Sequence, residues 1–447
     1  MNISQRFVSE IDKVAKSDIP SEVMARARRS FLDYLAVTCA GVVFQEEKMK
    51  GYFAFAHPEN GEFNVIGMHT ALALKEAVFL NGLNAHALDF DDGTNSGIIH
   101  LGSPIFSLLL PLCQRYNIKL ESMLKAAIIG YEASFTMAVS IQPRHKALGY
   151  HATGTCGMLG ATLAAAYMLD FSEAERYHAF ATACVSASGM LKVLDDGSEL
   201  KPYNVAKTAL LSLTSLQLAK AGFKGHSDPL GGYRGFMTMM TGNENTEIKP
   251  TLLNGTYAIM KSYTKPYASC RYTHPSVEAA IHLRNRYGIK PEDVKSIKVL
   301  TYDLAVSGHD HTDIHSSYSA KMSIPYSTAV ALEYGKAGLL EFSDTVIGRD
   351  SIQNLTNKVE VIADKDLSDL FPEKQSAIVC VSAKDGAFTE RVDYPKGEPE
   401  NPLSEEEFYE RFSDLMQYGH INREIYDSIY NVARHFNPLV SNLINHL

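Results

Sequence analysis

The 447-residue sequence contains no tryptophan and no run of basic residues. It also has no uncharged apolar stretch of about 18 residues, so nothing in it indicates a membrane-spanning helix. The polar N-terminal segment lacks the apolar core of a signal peptide, and none is expected. The missing basic run and a formal net charge of −9 argue against a protein that binds nucleic acid.

Paired cysteine motifs are absent as well. No two of the cysteines form a Cys-x-x-Cys motif, and all lie far apart in the sequence: Cys39, Cys113, Cys156, Cys184, Cys270 and Cys380. This spacing favours reduced thiols in a cytoplasmic protein over a disulfide framework or a zinc site.

What the sequence does contain is ordinary globular composition, with 45% apolar and 21% charged residues, and a length that suits two domains. The first 250 or so residues are predicted to be successive helices. Stretches such as "TCGMLGATLAAAYMLD" are apolar on every side, which is typical of helices inside a large bundle. Ser172 and Glu175 have the spacing of a capping box at the start of another helix.

The hydrophobic period changes near residue 260. "DVKSIKVLTYDLAV", "NKVEVIADKDL" and "SAIVCVSAKDGAFTERVDYP" alternate apolar and polar residues as half-buried strands do, and the last predicts a hairpin at Asp385-Gly386. Helical patterns return near residue 400. The sequence therefore predicts a mainly α protein, with helical parts at residues 1–258 and 396–447 and a smaller α+β domain at residues 259–395.

A first group of polar residues lies in "NGLNAHALDFDDGTNSGIIHLGSP". If the preceding helix lasts to about Phe90, Asp89 lies at its C-terminal end, where the helix dipole disfavours a carboxylate. A carboxylate there needs a partner or a purpose, so we expect a polar pocket beneath a loop that carries His100. The alternative is that Asp91 and Asp92 are solvated or only cap a turn.

A second group lies in "GYHATGTCGMLGA", where His151 comes just before an apolar helix. Glycines and hydroxyls at a helix N-terminus offer N–H groups that suit a carboxylate or phosphate, although they also serve as simple caps. The Gly-Lys-Ser/Thr of a P-loop is absent.

Cations gather in two further segments, "DDGSELKPYNVAK" and "KPYASCRYTH". Each could be a solvated surface run. However, the cations occur beside prolines and aromatic residues in an acidic chain, and one segment lies at the expected domain boundary, which suits a small anionic ligand. The candidate binding residues in them are Lys201, Lys207, Lys265, Cys270, Arg271 and His274.

A fifth segment, "SGHDHTDIHSS", contains His309, His311 and His315 together with two aspartates. The spacing could bind a metal ion, but the sequence shows no partner that would orient the histidines. A polar loop is the preferred interpretation.

The first four of these segments and one more resemble, in order, the MmgE/PrpD family: "NGLNAHALDFDDG…HLGSP", "GYHATGTCG", "DDGSELKPYNVAK…LAKAGFKG", "KPYASCRYTH" and "SIPYSTAVAL". The family includes 2-methylcitrate dehydratase, cis-aconitate decarboxylase and iminodisuccinate epimerase. The resemblance spans residues 20 to 330. It implies a large discontinuous helical-bundle domain with a smaller α+β lid domain, a homodimer, and no metal or organic cofactor.

The resemblance also implies roles for individual residues. His100 or His151 would act as base or acid, Lys201 and Lys265 would hold substrate carboxylates, and Asp89 would orient a histidine. Two further positions match family residues: Thr94, as a substrate-binding threonine, and Tyr326, as a proton donor. We expect these residues to share one site.

This sequence departs from the family pattern at three places. "DDG" replaces "DDT", which displaces Thr94 by one step, and "HLGSP" replaces the usual His-Pro. Cys270 stands where the decarboxylase has a histidine. These departures bear on which reaction is catalysed.

The family chemistry forms or destroys a carbanion beside a carboxylate, which requires a positioned base and nearby cations. The resemblance therefore implies a lyase acting on a small polycarboxylate. Dehydration of a methylcitrate-like acid is ranked first, with aconitate-type decarboxylation and epimerisation as alternatives. Outside enzymes, the alternative is a non-catalytic helical dimer that binds a carboxylate.

Overall fold

The structure is a computed structural model that describes residues 1–193 and 198–447. Asp195, Asp196 and Gly197 of the "DDGSELKPYNVAK" segment lie outside the described residues. Helices hold 58% of the structure and strands 10%, so the predicted fold class, mainly α with a smaller α+β part, is confirmed.

The chain forms two compact units. The first consists of Met1–Val193, Leu200–Ser262 and Glu405–Leu447. The second is Tyr263–Ser404, together with the short segment that ends at Glu199. The first unit is therefore assembled from separate parts of the sequence.

The first unit is a bundle of helices. They are α1 Ile3–Lys16, α2 Ser21–Phe44, α3 Glu46–Ala56, α4 Leu74–Ala85, α5 Gly102–Tyr116, α6 Leu120–Ile141, α7 Arg144–Ala147, α8 Ala152–Met168, α9 Glu173–Ser186, α10 Lys201–Lys220 and α11 Phe236–Thr241. Two short 3₁₀ turns follow, Leu253–Gly255 and Ala258–Lys261. The predicted capping box is present at α9, where Ser172 and Glu175 exchange hydrogen bonds.

Small residues let the central helices approach closely. A side-chain carbon at Gly160 on α8 would lie 1.9 Å from Ser134 Oγ and 2.3 Å from the carbonyl oxygen of Gly130, both on α6. Glycine is therefore required at this crossing. Buried side chains lie on every face of α8, as the uniformly apolar sequence predicted.

One helix, α6, is long and apolar enough to cross a membrane by length and composition alone. However, 89% of its most apolar window is buried inside the protein, as in an ordinary core helix. Its apolar surface is covered by protein.

A short antiparallel hairpin in the first unit was not predicted. It consists of β1 Asn60–Val65 and β2 Thr70–Leu72. Val65 and Leu72 are buried and pack with Met49 and Leu80 of the neighbouring helices. β2 has three residues, and β1, with the sequence NGEFNV, does not alternate apolar and polar residues, which is why the periodicity did not reveal them.

The second unit combines a small sheet with short helices. Its helical elements are the 3₁₀ turn Arg271–Thr273, α12 His274–Tyr287, the 3₁₀ turn Pro291–Asp293, α13 Asp303–Val306, α14 Ser317–Met322, α15 Ile324–Tyr334, the 3₁₀ turn Leu339–Phe342, α16 Asp344–Ile347, α17 Asp350–Thr356 and α18 Lys365–Ser368. Its strands are β3 Val294–Thr301, β4 Val359–Ala363, β5 Ala377–Ala383 and β6 Gly386–Val392.

The sheet has the order β4-β3-β5-β6, with β3 and β4 parallel and the other pairs antiparallel. The expected hairpin is present between β5 and β6, and its turn is Lys384-Asp385, one residue earlier than predicted. On β5, buried and half-buried residues alternate, as the period-two sequence pattern requires.

The C-terminal helices α19 Glu405–Tyr418, α20 Arg423–Val432 and α21 Val440–Ile444 belong to the first unit. Arg411 holds α19 against the N-terminal part of the first unit. Its guanidinium donates to the carboxylate of Asp33 on α2 and to the carbonyl oxygen of Phe90, 2.9 Å away, and it stacks over the Phe90 ring. Both charged side chains are buried. Burial raises the pKa of Asp33, although the Arg411 charge opposes this.

We predict that Arg411→Met destabilises the first unit by about 3 to 5 kcal/mol, because it leaves the Asp33 carboxylate buried without its cation. Arg423→Met, which removes an exposed partner of Asp427, is the matched control. That change should cost less than about 1 kcal/mol. Urea unfolding followed by circular dichroism measures both variants. If both variants lost the same free energy of unfolding, the buried pair would contribute no more to stability than the exposed one.

Candidate active site

The loop after α4 carries the first group of polar residues. The helix ends at Ala85, so the expectation that it lasts to about Phe90 is wrong. Turns follow instead, in which Asp89 takes a left-handed φ of 51° and its N–H donates to the carbonyl oxygen of His86. Such a turn directs successive polar side chains inward, which a continuing helix would spread around its axis.

Asp91 is a buried, hydrogen-bonded carboxylate of this loop. It accepts from Nδ1 of His86 at 2.8 Å and from Oγ of Ser103 at 2.5 Å, and Nδ1 of His100 lies 3.3 Å away. Burial would raise the pKa of Asp91, but the two histidines outweigh it and hold that pKa well below its usual value. Asp91 is therefore a fixed negative charge between two imidazoles.

Asp92, the next residue, has a different environment. Its carboxylate accepts from the Tyr131 hydroxyl at 2.5 Å and from the Gly102 N–H at 2.9 Å. Burial raises the pKa of Asp92 to about 6 despite these hydrogen bonds. Asp91 and Asp92 are 3% and 5% exposed, so the alternative of two solvated turn residues is wrong.

His100 is held in one tautomer by the backbone. Its Nδ1–H donates to the carbonyl oxygen of Asp92 at 2.9 Å, and its backbone N–H donates to Oγ1 of Thr153. Nε2 of the neutral ring is then an acceptor, and Oδ1 of Asp89 lies 3.6 Å from it. His100 thus presents a basic nitrogen, with the Asp91 charge behind it.

Asp89 is paired with a lysine. Lys201 is the first residue of α10, and its Nζ lies 2.8 Å from Oδ1 of Asp89, with both side chains largely buried. Oδ1 of Asp89 also lies 3.6 Å from Nε2 of His100, so the expected role of Asp89 in orienting a histidine stays a prediction. Nδ1 of His100 is oriented by Asp91 and by the Asp92 carbonyl.

His151 is held in the opposite tautomer to His100. It precedes α8 directly, as expected, and Nδ2 of Asn204 on α10 donates to its Nδ1 at 3.2 Å. The proton of the neutral ring is then on Nε2. Burial, followed by the charge of Lys201, holds the pKa of His151 well below its usual value. His151 is therefore neutral near pH 7 and donates from Nε2.

A third histidine, His86, was missed by the sequence analysis. Its ring lies 4.6 Å from that of His100 and 6.2 Å from that of His151, measured between centroids. Burial lowers the pKa of His86, against the effect of Asp91. A helix lasting to about Phe90 would place His86 in its interior, where a buried histidine has no distinctive pattern. Its position three residues before Asp89 was the available signal.

Two predicted substrate-binding residues also belong to the first unit. Thr94 is buried, and within the described residues its Oγ1 has no hydrogen-bond partner. Lys207 is the seventh residue of α10, and its Nζ donates to Oγ of Ser188 at 3.0 Å. Burial lowers the pKa of Lys207.

The remaining predicted residues form part of the second unit. Arg271 donates to the Glu398 carboxylate and contacts Nδ1 of His274 at 2.8 Å. Lys265 is buried. The hydroxyl of Tyr326 donates to the carbonyl oxygen of Glu341 at 2.7 Å, which favours a structural role over proton donation.

Cys270 has His309 as a neighbour within the same unit. Its Sγ lies 3.6 Å from Nε2 of that histidine. The metal alternative for the loop that carries His309 finds no support, because His311 bonds to the Ser319 carbonyl and His315 pairs with Asp313 at the surface.

A different set of residues could hold a metal ion. Within residues 1–193 and 198–447, one group offers ligand atoms that all lie within 4.8 Å of one another: His86, Asp89, Asp91 and His100. The donors suit a divalent transition metal. However, the ammonium of Lys201 already neutralises Asp89, and His86 and Ser103 already satisfy Asp91. A metal ion bound to Oδ1 of Asp89 or to the Asp91 carboxylate would compete with these contacts.

Buried histidines in opposite tautomers, beside carboxylates and a lysine, are the equipment of general acid–base catalysis, and they define this protein as an enzyme. The chain belongs to the MmgE/PrpD family. The family's N-terminal domain matches residues 5–249, and its C-terminal domain matches residues 267–427. At the level of the family, the protein is a lyase.

Several curated relatives match nearly the whole chain. A cis-aconitate decarboxylase-like protein of Aspergillus oryzae is 24% identical and covers 93% of this chain and 90% of its own length. A cis-aconitate decarboxylase of Aspergillus terreus is 25% identical with the same coverage. The cis-aconitate decarboxylase of Homo sapiens is 24% identical, over 92% of this chain and 87% of its own.

The two adjacent aspartates should show opposite pH dependence. The pKa of Asp91 is depressed, so it stabilises the fold above its unfolded value of about 3.9, and this is lost as pH falls below that. We therefore predict that Asp91→Asn is less stable than wild type by about 3 kcal/mol at pH 7, with a smaller deficit below about pH 4.

The pKa of Asp92 is raised to about 6, so its ionisation costs stability as pH rises. Asp92→Asn should therefore gain on wild type between about pH 4 and pH 6. Urea unfolding from pH 3.5 to 7.5 measures both variants. Parallel curves for the two would contradict these assignments.

Proposed function

We propose that this lyase acts on a small di- or tricarboxylate by moving a proton at a carbon next to a carboxylate. The observation that carries the proposal is that His100 and His151 are held in opposite tautomers within one buried cluster, with Nε2 unprotonated in His100 and protonated in His151. One is ready to accept a proton and the other to donate one.

The acceptor is Nε2 of His100. When it takes up a proton, the positive ring lies beside the Asp91 carboxylate, 3.3 Å from Nδ1, which stabilises the imidazolium. His100 is also the less enclosed of the two histidines, with 11% of its side chain exposed. We therefore assign His100 as the base.

The donor is Nε2 of His151. Because burial and the Lys201 charge keep this ring neutral, it acts as a hydrogen-bond or proton donor without carrying a formal charge. Such a donor suits an oxygen or carbon on which negative charge develops. The hydrogen bond from Asn204 fixes which nitrogen faces the reaction.

Lys201 supplies the positive charge that an enediolate needs. A proton next to a carboxylate is a weak acid, and its removal places a second negative charge on that carboxylate. Lys201 Nζ is held by Asp89, so it is positioned before substrate arrives. Its ammonium has three donors and can bind a substrate oxygen while it keeps this contact.

Decarboxylation and dehydration would use these side chains in a different order. In decarboxylation, the C–C bond to one carboxylate breaks, carbon dioxide leaves, and the electron pair left on carbon is protonated. In dehydration, the base removes the carbon-bound proton and hydroxide leaves as water from the next carbon. The relatives' names favour decarboxylation of a cis-aconitate-type acid, so we place it first and 2-methylcitrate-type dehydration second. Epimerisation is the third alternative.

The substrate class is tested by incubation with a panel of di- and tricarboxylates in D₂O containing EDTA, followed by NMR. We expect one tricarboxylate either to lose carbon dioxide with deuterium incorporation or to lose water with formation of a double bond. EDTA should not change the rate, because the carboxylates are neutralised by side chains. Loss of activity in EDTA, restored by a divalent metal, would instead indicate a metal at His86, Asp89, Asp91 and His100.

Variants of the proposed base and of the proposed carboxylate-binding lysine should differ in their effects on kcat and KM. We predict that His100→Gln lowers kcat by a factor of about 10² to 10⁴ with a much smaller change in KM. Lys201→Met should raise KM and also lower kcat, because it faces the developing charge. His151→Gln should lower kcat, and Lys265→Met tests the second carboxylate clamp, which remains a prediction from the resemblance. Lys220→Met, in a surface pair with a glutamate, is the control and should leave both constants unchanged.

A non-catalytic carboxylate-binding protein is the competing hypothesis. It predicts saturable binding of a polycarboxylate without turnover or deuterium exchange for any member of the panel. The cytoplasmic location and the homodimer likewise remain predictions, and light scattering tests the second.

A further inference from the structure

Cys270 and His309 form a thiol–imidazole contact in the second unit that the proposed reaction does not use. Cys270 Sγ lies 3.6 Å from Nε2 of His309, within hydrogen-bond range for sulfur. Both side chains are partly exposed. A thiol becomes an effective nucleophile when an adjacent base takes its proton.

The tautomer of His309 favours this transfer. Its Nδ1 lies 2.9 Å from the carbonyl oxygen of Ser307, which can only accept, so Nδ1 carries the proton of the neutral ring. Nε2 is therefore the unprotonated nitrogen, and it faces the sulfur. A base whose far nitrogen is fixed by a third group is the arrangement found in nucleophile–base pairs.

Both residues are fixed in position by their backbones. The N–H of Cys270 donates to the Lys321 carbonyl at 2.8 Å, and its carbonyl accepts from the N–H of Thr273 at 3.0 Å. The carbonyl of His309 accepts from the N–H of Ile324 at 2.8 Å, and its ring packs edge-on against Tyr272 with centroids 5.1 Å apart. The contact between the two side chains is thus built into the fold.

The charged group next to Cys270 in the sequence has partners of its own. The guanidinium of Arg271 is paired with Glu398, and it also contacts His274. Burial raises the pKa of Tyr272 and of Tyr302, so both tyrosines are neutral near pH 7. The titratable groups that surround the pair are Arg271, Tyr272, His274, Tyr302, Asp310, Lys321 and Glu398. The imidazole of His309 is in direct contact with the sulfur.

The other cysteines lack this environment. Four are buried, and burial raises the pKa of each thiol: Cys39 and Cys156 to about 12, and Cys113 and Cys184 well above the usual value. Cys380 on β5 is partly exposed like Cys270, but its sulfur accepts a hydrogen bond from the Thr389 hydroxyl at 3.4 Å. Cys380 is therefore a matched control inside the same molecule.

We propose that Cys270 and His309 are a nucleophilic pair and that Cys270 is a covalent modification site for small carbon electrophiles, such as alkyl halides and activated alkenes. His309 Nε2 takes the thiol proton and the sulfur attacks carbon. With an activated alkene, the S–C bond forms as the double bond breaks, and the imidazolium returns the proton to the resulting carbanion. With iodoacetamide, iodide leaves and the proton passes to solvent. No other reactant is needed.

The test is alkylation of the full-length protein by iodoacetamide, with the rate at each cysteine followed by mass spectrometry of its peptide. At pH 7 we expect Cys270 to react at least about tenfold faster than Cys380, because a paired thiolate forms well below the ordinary thiol range near 8.5. The four buried cysteines should remain unlabelled, which also reports that the protein is folded. Equal rates at Cys270 and Cys380 would overturn the proposal.

The role of His309 is tested by His309→Gln. This change should slow alkylation of Cys270 at pH 7 by about tenfold or more and move the midpoint of its pH–rate profile upward, with Cys380 unaffected. His315→Gln, on the same loop but paired with Asp313 at the surface, should leave the rate unchanged. An unchanged rate in His309→Gln would show that the imidazole does not activate the thiol.

A measurement on the wild type alone keeps the proposal testable if His309→Gln does not fold. Between pH 6 and pH 9.5, the ratio of the Cys270 rate to the Cys380 rate should fall steadily, because an unassisted thiol gains thiolate as pH rises while a paired thiol already has it. If the two rates rise in parallel over this range, the proposal is wrong. This readout does not depend on the identity of the enzyme's substrate, so it stands or falls separately from the proposed reaction.

Discussion

The candidate active site depends on one buried negative charge, the carboxylate of Asp91. A carboxylate removed from water is costly unless hydrogen-bond donors and positive charge surround it. Asp91 recruits His86, His100 and Ser103 for this purpose, and these contacts bring the loop after α4 against the start of α5. The same contacts give His100 a fixed orientation and a negative neighbour. Stability and chemistry therefore rest on the same atoms here.

The rest of the first unit supports this loop from three sides. Arg411 on α19 holds the carbonyl of Phe90, the residue before Asp91, so the C-terminal helices contribute directly to the site. Thr153 at the start of α8 accepts the backbone N–H of His100. Lys201 at the start of α10 pairs with Asp89. Each support comes from a different helix, so the site requires the packed bundle.

The sequence predicted the coarse fold well because hydrophobic period is a long-range signal. The change near residue 260 from helical to alternating patterns, and the return near residue 400, correspond to the strands β3 to β6 and to the helices from Glu405 onward. It predicted less well where a few residues decide the backbone. The end of α4 was placed at Phe90, five residues late, because an apolar pattern does not show that Asp89 adopts a left-handed φ.

Single side chains were predicted when a motif marked them. His100, His151 and Lys201 were identified from motif segments and do belong to one cluster in the structure. His86 was missed because a buried histidine in an apolar helix has no signature until its neighbours are known. The sequence analysis expected Asp89 to orient a histidine and did not predict that Asp91 would accept a hydrogen bond from one. Spacing alone cannot tell which of two carboxylates, two residues apart, will meet a lysine and which will meet an imidazole.

The structure uses one device twice to fix the tautomer of a histidine. In His100 and in His309, Nδ1–H is given to a backbone carbonyl, that of Asp92 and of Ser307. A carbonyl has no proton to offer, so it selects the tautomer with a basic Nε2 at any pH where the ring is neutral. What each ring then does is decided by the groups beside it. Asp91 prepares His100 to hold a proton, whereas the sulfur of Cys270 gives His309 a proton to take.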